Sequence, residues 1–136
     1  MLAELLKTLL ASQFAYYLKA TFFHWNCEGA DFYQLHKFFQ KIYEDAYSAV
    51  DTIAEEIRTL DEYAPGSFER FAELSQIQGQ TKVPRARLMI EELLADSETM
   101  IDLLNQVFAV ANEENKQDNI HHDFRYHVGR AIQNFR

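Results

Sequence analysis

The sequence predicts an all-α protein: a four-helix bundle whose second and third helices are joined by a long crossover carrying a short extra helix. Three observations predict it. Apolar residues recur at steps of three and four along most of the chain. Proline and glycine, which punctuate strands and turns, number only two and four in 136 residues. The connection between the second and third helical patterns is also far longer than the short turn an up-and-down bundle needs. With 48% hydrophobic residues, the chain reads as a single domain, 1–136, long enough for one core and too short for two.

The first helix is expected from residue 2 to about 27, where Leu2, Leu6, Leu9, Leu10, Phe14, Tyr17, Leu18, Phe22 and Trp25 keep the helical spacing. Gly29 interrupts it, and Asp31 followed three residues later by Gln34 has the form of a capping box for the next helix. That second helix is expected to run unbroken to about Tyr63. Its core stripe is Leu35, Phe39, Ile42, Ala46, Val50, Ile53, Ile57 and Leu60. A second stripe, His36, Gln40, Tyr43, Tyr47 and Asp51, follows one position later, about 100° round the helix.

Ala64, Pro65 and Gly66 stop the second helix. Phe68, Phe71 and Leu74 mark the short crossover helix over residues 67–74, and 76–82 is a polar loop. Pro84 suits the first turn of the third helix. Its inward residues are expected to be Ile90, Leu93, Leu94, Ser97, Met100, Ile101, Leu104, Val107, Phe108 and Ala111, with an end near Asn112. Ile120, Phe124, Val128, Ala131, Ile132 and Phe135 give the fourth helix its stripe, with Gly129 marking close packing.

A formal net charge of -8 argues against binding nucleic acid through a basic surface and favours cations as guests. Local patches such as Lys82, Arg85 and Arg87 are expected to be outweighed by the acidic field, so DNA binding is not expected. Cys27 is the single cysteine, which excludes an intrachain disulfide and fits a reducing, cytoplasmic setting. The apolar start MLAELLKTLL is interrupted by Glu4 and Lys7 and reads as a helix rather than a leader. No run approaches the roughly 18 apolar residues that would span a membrane.

The chemistry concentrates in residues 24–58. Asp51 and Glu55 are four apart, so both carboxylates project from one face of a helix and can share a cation. His36 and Asp51 lie about 60° apart around that helix yet roughly 22 Å apart along it, so one chain cannot bring both to one metal. Two antiparallel copies crossing near Tyr43 and Glu44 would set His36 of each beside Asp51 of the other, giving two equivalent sites in a twofold dimer. The second stripe carries Tyr43 and Tyr47 where a monomer's helix would carry Lys and Glu, and Phe32 lies near it, which suits an interface.

The stretch HWNCEGADFYQLH followed by DTIAEEI resembles the signature of the Dps mini-ferritins, with ferritin-like four-helix bundles. The resemblance is strongest from Phe22 to Leu60 and looser after Gly79. It implies iron ligands at His24, His36, Asp51 and Glu55, the histidines from one chain and the carboxylates from its mate. It also implies a homo-oligomer, a hollow dodecamer of twofold dimers that oxidises Fe2+ to Fe3+, with hydrogen peroxide preferred over oxygen, and keeps the mineral inside. His and carboxylate ligands suit iron, with zinc and manganese as possible substitutes. Trp25 is first a packing residue; the resemblance implies that it also intercepts stray oxidising equivalents.

Gln40 stands where the family usually has Asp, and an amide is the weaker ligand for a hard cation, which weakens the second iron position. A structural or nucleoid-associated shell with a vestigial site is therefore the alternative reading. His121, His122 and His127 do not form a compact chelate and read as surface residues. Glu113, Glu114, Asp118 and Asp123 suit the start of the fourth helix, where acids complement the helix dipole, and the resemblance to ferritin-like shells makes them candidates for an acidic entry pore.

Overall fold

Helix α1, Leu2–Asn26, is the axis of the fold in this computed structural model, which describes residues 1–113. Against it pack α2 (Phe32–Ser48), α3 (Val50–Thr59), α4 (Phe68–Leu74) and α5 (Ala86–Glu113). Every described element is helical, as the three-and-four spacing requires. The expected fourth helix, with His121, His122, His127, Glu114, Asp118 and Asp123, lies outside the described residues.

The core is built from Leu6, Leu9, Leu10 and Phe23 of α1, Phe39 of α2, Ile53 and Ile57 of α3, and Met89, Leu93, Met100 and Leu104 of α5. Phe39 is fully buried with its ring centroid 5.9 Å from that of Phe23; truncating such a ring to alanine costs about 3–5 kcal/mol. The crossover is fastened to α1 at two points. Phe71 lies 5.1 Å from Phe14, centroid to centroid, and the Gln76 N–H donates to Ser12 Oγ at 2.9 Å. The crossover helix starts where expected because Ser67 Oγ accepts from the Arg70 N–H.

Between α1 and α5 the interior holds an ion pair, Lys19 Nζ to Asp96 Oδ2 at 2.7 Å. Burial raises the Asp96 carboxyl above the usual carboxylate range, although Lys19 pulls it down. Burial, then the Asp96 charge, also raises the neighbouring Tyr16 phenol. Removing only one partner of such a pair costs about 3–5 kcal/mol, because the other charge is left buried and alone.

Six expectations need correction. Asp31 is the N-cap of α2, but its side chain makes no capping bond, because its φ of -99° and ψ of 22° are not the extended backbone that aims a cap side chain at the first turn. The turn is closed by the main chain instead, with Gly29 at φ 107° and the Phe32 N–H donating to Gly29 O at 3.2 Å.

The expected unbroken second helix is bent into α2 and α3 at Ala49. Nor does it reach Tyr63: α3 ends at Thr59, with Asp61 in the left-handed region at φ 63°. The N–H groups of Asp61 and Glu62 there bond back to Arg58 O and Ile57 O, the paired closure of a Schellman motif. That closure precedes Pro65, so the proline follows the stop rather than causing it.

Pro84 lies ahead of α5, not inside its first turn, because the first helical carbonyl is that of Arg85, which accepts from Met89 N–H. Along α5, Ile90 and Leu94 are exposed, and the buried row runs through Met89, Leu93, Met100, Leu104 and Val107. The helix carries two apolar rows one position apart, and periodicity cannot choose between them; packing against α1 does.

Candidate metal centre

The end of α1 leaves its last carbonyls without partners inside the helix. One of them, His24 O, receives the Nδ1 of His36 at 2.8 Å. The exchange is mutual, for His24 Nδ1 lies 2.7 Å from His36 O. A carbonyl only accepts, so each Nδ1 carries the proton and donates. With Nδ1 so engaged, Nε2 is the nitrogen through which either ring can bind a metal, the arrangement in which a metal-binding histidine is usually held by a backbone carbonyl.

The two rings stack, with centroids 3.7 Å apart and planes 19° from parallel. Phe32, one helical turn before His36, stacks on His36 at 5.1 Å, and Tyr43 meets His24 edge-on at 5.1 Å. The imidazoles are thus fixed by two carbonyls and two aromatic rings from the same chain. His24 is buried and His36 half-buried.

The carboxylates are placed differently. Asp51 and Glu55 are both exposed on α3, beyond the bend, and at about 1.5 Å per residue they lie about 22 and about 28 Å along the helix from His36. Among the described residues, no three His, Cys, Asp or Glu side chains gather closely enough to hold a metal ion. One chain therefore brings together His24 and His36 and leaves Asp51 and Glu55 apart from them.

Gln40 Nε2 donates to Glu44 Oε1 at 2.8 Å, so the amide is engaged along its own helix. Trp25 does not pack in its own bundle as expected: it is 65% exposed. Its neighbour His24 points inward because successive helical residues diverge by about 100°. Cys27 is buried beside the pair, its Sγ 3.8 Å from His24 O, and burial raises its thiol above the ordinary range, as an inert packing residue requires.

Sequence reasoning did not find the roles of Phe32 and Tyr43 against the histidines. The spacing of Phe32 and His36, four residues, was a usable signal for the first. The carbonyl bonds carried none, since a backbone acceptor has no residue type.

A long α1 packed against a bent second helix, a crossover helix and a long α5, with a histidine pair near the α1–α2 turn, defines a ferritin-like protein. A ferritin-like domain matches residues 3–127, and the chain belongs to that family. Within the family it stands with the Dps mini-ferritins. The crystal structure of a Dps protein from Vibrio cholerae O1, described as a member of a broad superfamily of ferritin-like diiron-carboxylate proteins, is similar with a TM-score of 0.88. The two are 25% identical, and the match covers 98% of this chain and 81% of the other.

Among relatives, the chain is 31% identical over 94 residues to a DNA protection during starvation protein of Helicobacter pylori, covering 68% of this chain and 65% of that one. It is 35% identical over 109 residues to a nutrient stress-induced DNA-binding protein of Nostoc, covering 79% of this chain and 59% of that one. The chain spans under two thirds of the length of each of these two relatives. The expectation that DNA binding is absent finds no support in relatives with such names. Among the described residues no helix is long and apolar enough to cross a membrane.

Proposed function

We propose that this protein is an iron-storing mini-ferritin that oxidises ferrous iron at a site shared by two subunits. His24 and His36 offer their Nε2 lone pairs from one chain, and the partner subunit's Asp51 and Glu55 supply the carboxylates. The observation that carries this reading is the reciprocal pair of Nδ1 to carbonyl bonds, 2.7 and 2.8 Å, which holds two adjacent imidazoles in a metal-ready tautomer. The twofold pairing of α2 and α3 with their copies supplies what one chain lacks.

Iron is the substrate here. Ferrous ions enter, bind between subunits and lose an electron to hydrogen peroxide or oxygen, and the ferric product is stored inside a dodecamer built from twofold dimers. The setting that fits is the cytosol, and the outcome is protection from iron-driven oxidative damage.

Anaerobic addition of ferrous iron followed by peroxide tests the activity: ferric absorbance must rise, and must fail to rise in His24→Ala. A crystal soaked in ferrous iron tests the place. Anomalous peaks away from His24, His36, Asp51 and Glu55 would overturn the assignment.

A second reading, a nucleoid-associated shell with a weak metal site, is favoured by Gln40 and its bond to Glu44, and by the names of the relatives. A mobility shift with duplex DNA at low salt, dissolved by added salt, would support it. The exposed Lys82, Arg85 and Arg87 are the residues to neutralise in that assay.

A further inference from the structure

We infer that Gln13 is a positioning residue for the shared iron site: through the carbonyl of Ala46 it sets the bend that aims Asp51 and Glu55. The inference rests on the iron-binding reading above and adds to it a residue on a different helix.

The bend has a chemical construction. In a continuous helix the Ala49 N–H would bond Asp45 O; here it turns to Ala46 O, at 3.4 Å, and to Tyr47 O. Asp45 O, deprived of that donor, accepts from Ser48 Oγ at 2.6 Å. Back-bonding of a serine hydroxyl into its own helix is a known cause of bending. Helical bonding resumes with Ile53 N–H to Ala49 O at 3.1 Å.

The other carbonyl at the bend, Ala46 O, accepts from Gln13 Nε2 at 2.7 Å. Gln13 is 2% exposed, in the core of α1 between Leu10 and Tyr16. Burying an amide there is unfavourable unless it is bonded, and Leu or Met would serve packing better. The amide fixes one specific backbone geometry, at the point where the stripe passes from its histidine half to its carboxylate half.

Magnitudes show why that point matters. From Ala49 to Glu55 the helix advances about 9 Å, so re-aiming α3 by 10° moves the carboxylate by about 1.6 Å, whereas metal-ligand distances tolerate about 0.2 Å. In a twofold pair the error arises at both sites at once. Gln13 touches neither iron nor its ligands and acts only through the aim of α3.

The test uses two near-isosteric variants. Gln13→Met keeps the shape and loses the donor. Gln13→Glu keeps a donor, because a carboxyl this buried holds its proton at neutral pH. Ferrous iron alone is titrated anaerobically into each assembled protein by calorimetry. The expected result is a loss of affinity of about tenfold or more for Gln13→Met, with Gln13→Glu within about threefold of the unmodified protein, as for a support behind a metal ligand.

Equal affinity in Gln13→Met and the unmodified protein, whatever happens to thermal stability, overturns the positioning role alone. Should Gln13→Met fail to assemble, Gln13→Leu, which also fills the space and lacks the donor, replaces it in the same titration. Weakened iron binding in Gln13→Leu beside nearly unmodified binding in Gln13→Glu then supports the inference, and unchanged binding in Gln13→Leu overturns it. An unmodified protein that binds no ferrous iron overturns the iron reading itself, and the positioning role with it.

Discussion

The two halves of the proposed site are built in opposite ways. The histidine half is finished within one chain: His24 and His36 are held by each other's carbonyls, stacked at 3.7 Å, and flanked by Phe32 and Tyr43. The carboxylate half is exposed on α3, at the far side of a bend. The difference follows from the cost of each group. Imidazoles can be buried neutral if one nitrogen is bonded, whereas two carboxylates buried together without a cation would repel and lose their hydration. Preorganisation therefore belongs with the histidines, and in the proposed site the acids are the half that a second subunit would bring to the metal.

The largest effect that would break this comparison is genetic complementation in solution. His36→Ala and Asp51→Ala homodimers should each lose iron oxidation. Mixed and allowed to exchange subunits, they form about half mixed dimers, each with one intact site of two, so about a quarter of the activity returns. Proven exchange with no recovery would mean that the ligands do not come from two chains.

Stability should separate the halves next. His24→Ala leaves the half-buried His36 carbonyl without its 2.7 Å donor and removes a stacked ring, a loss of about 1–3 kcal/mol in denaturant unfolding of the metal-free protein. Asp51→Ala, at an exposed position, should stay within about 0.5 kcal/mol. Equal losses would show that the carboxylate half is also a structural element.

Stoichiometry gives a smaller effect. Gln40→Asp places a carboxylate where the stripe has an amide bonded to Glu44, and should raise anaerobic ferrous binding from about one towards two ions per site. An unchanged ratio in paired titrations would remove Gln40 as the cause of a weak second position.

Trp25→Phe is expected to change least. Its ring is exposed and outside the stacked array, so ferrous affinity should stay within about twofold, and only the yield of protein-based radicals after peroxide, read by electron paramagnetic resonance, should drop. A large fall in affinity would mean that the ring packs against the site in the assembled dimer.

The sequence by itself determined the helical class, the crossover helix over residues 67–74, the two stripes of the second helix, and the impossibility of joining His36 to Asp51 within one chain. All of these depend on spacing along the chain, and helical periodicity converts spacing into direction. The tertiary structure alone decided which of two adjacent apolar rows of α5 faces α1, because both satisfy the same period. It also decided the stop at Asp61, the bend at Ala49 and the mutual bonds of His24 and His36. Each of these rests on a backbone carbonyl or N–H meeting a particular partner in space. Every residue but proline carries both groups, so no residue type announces where the chain will use them.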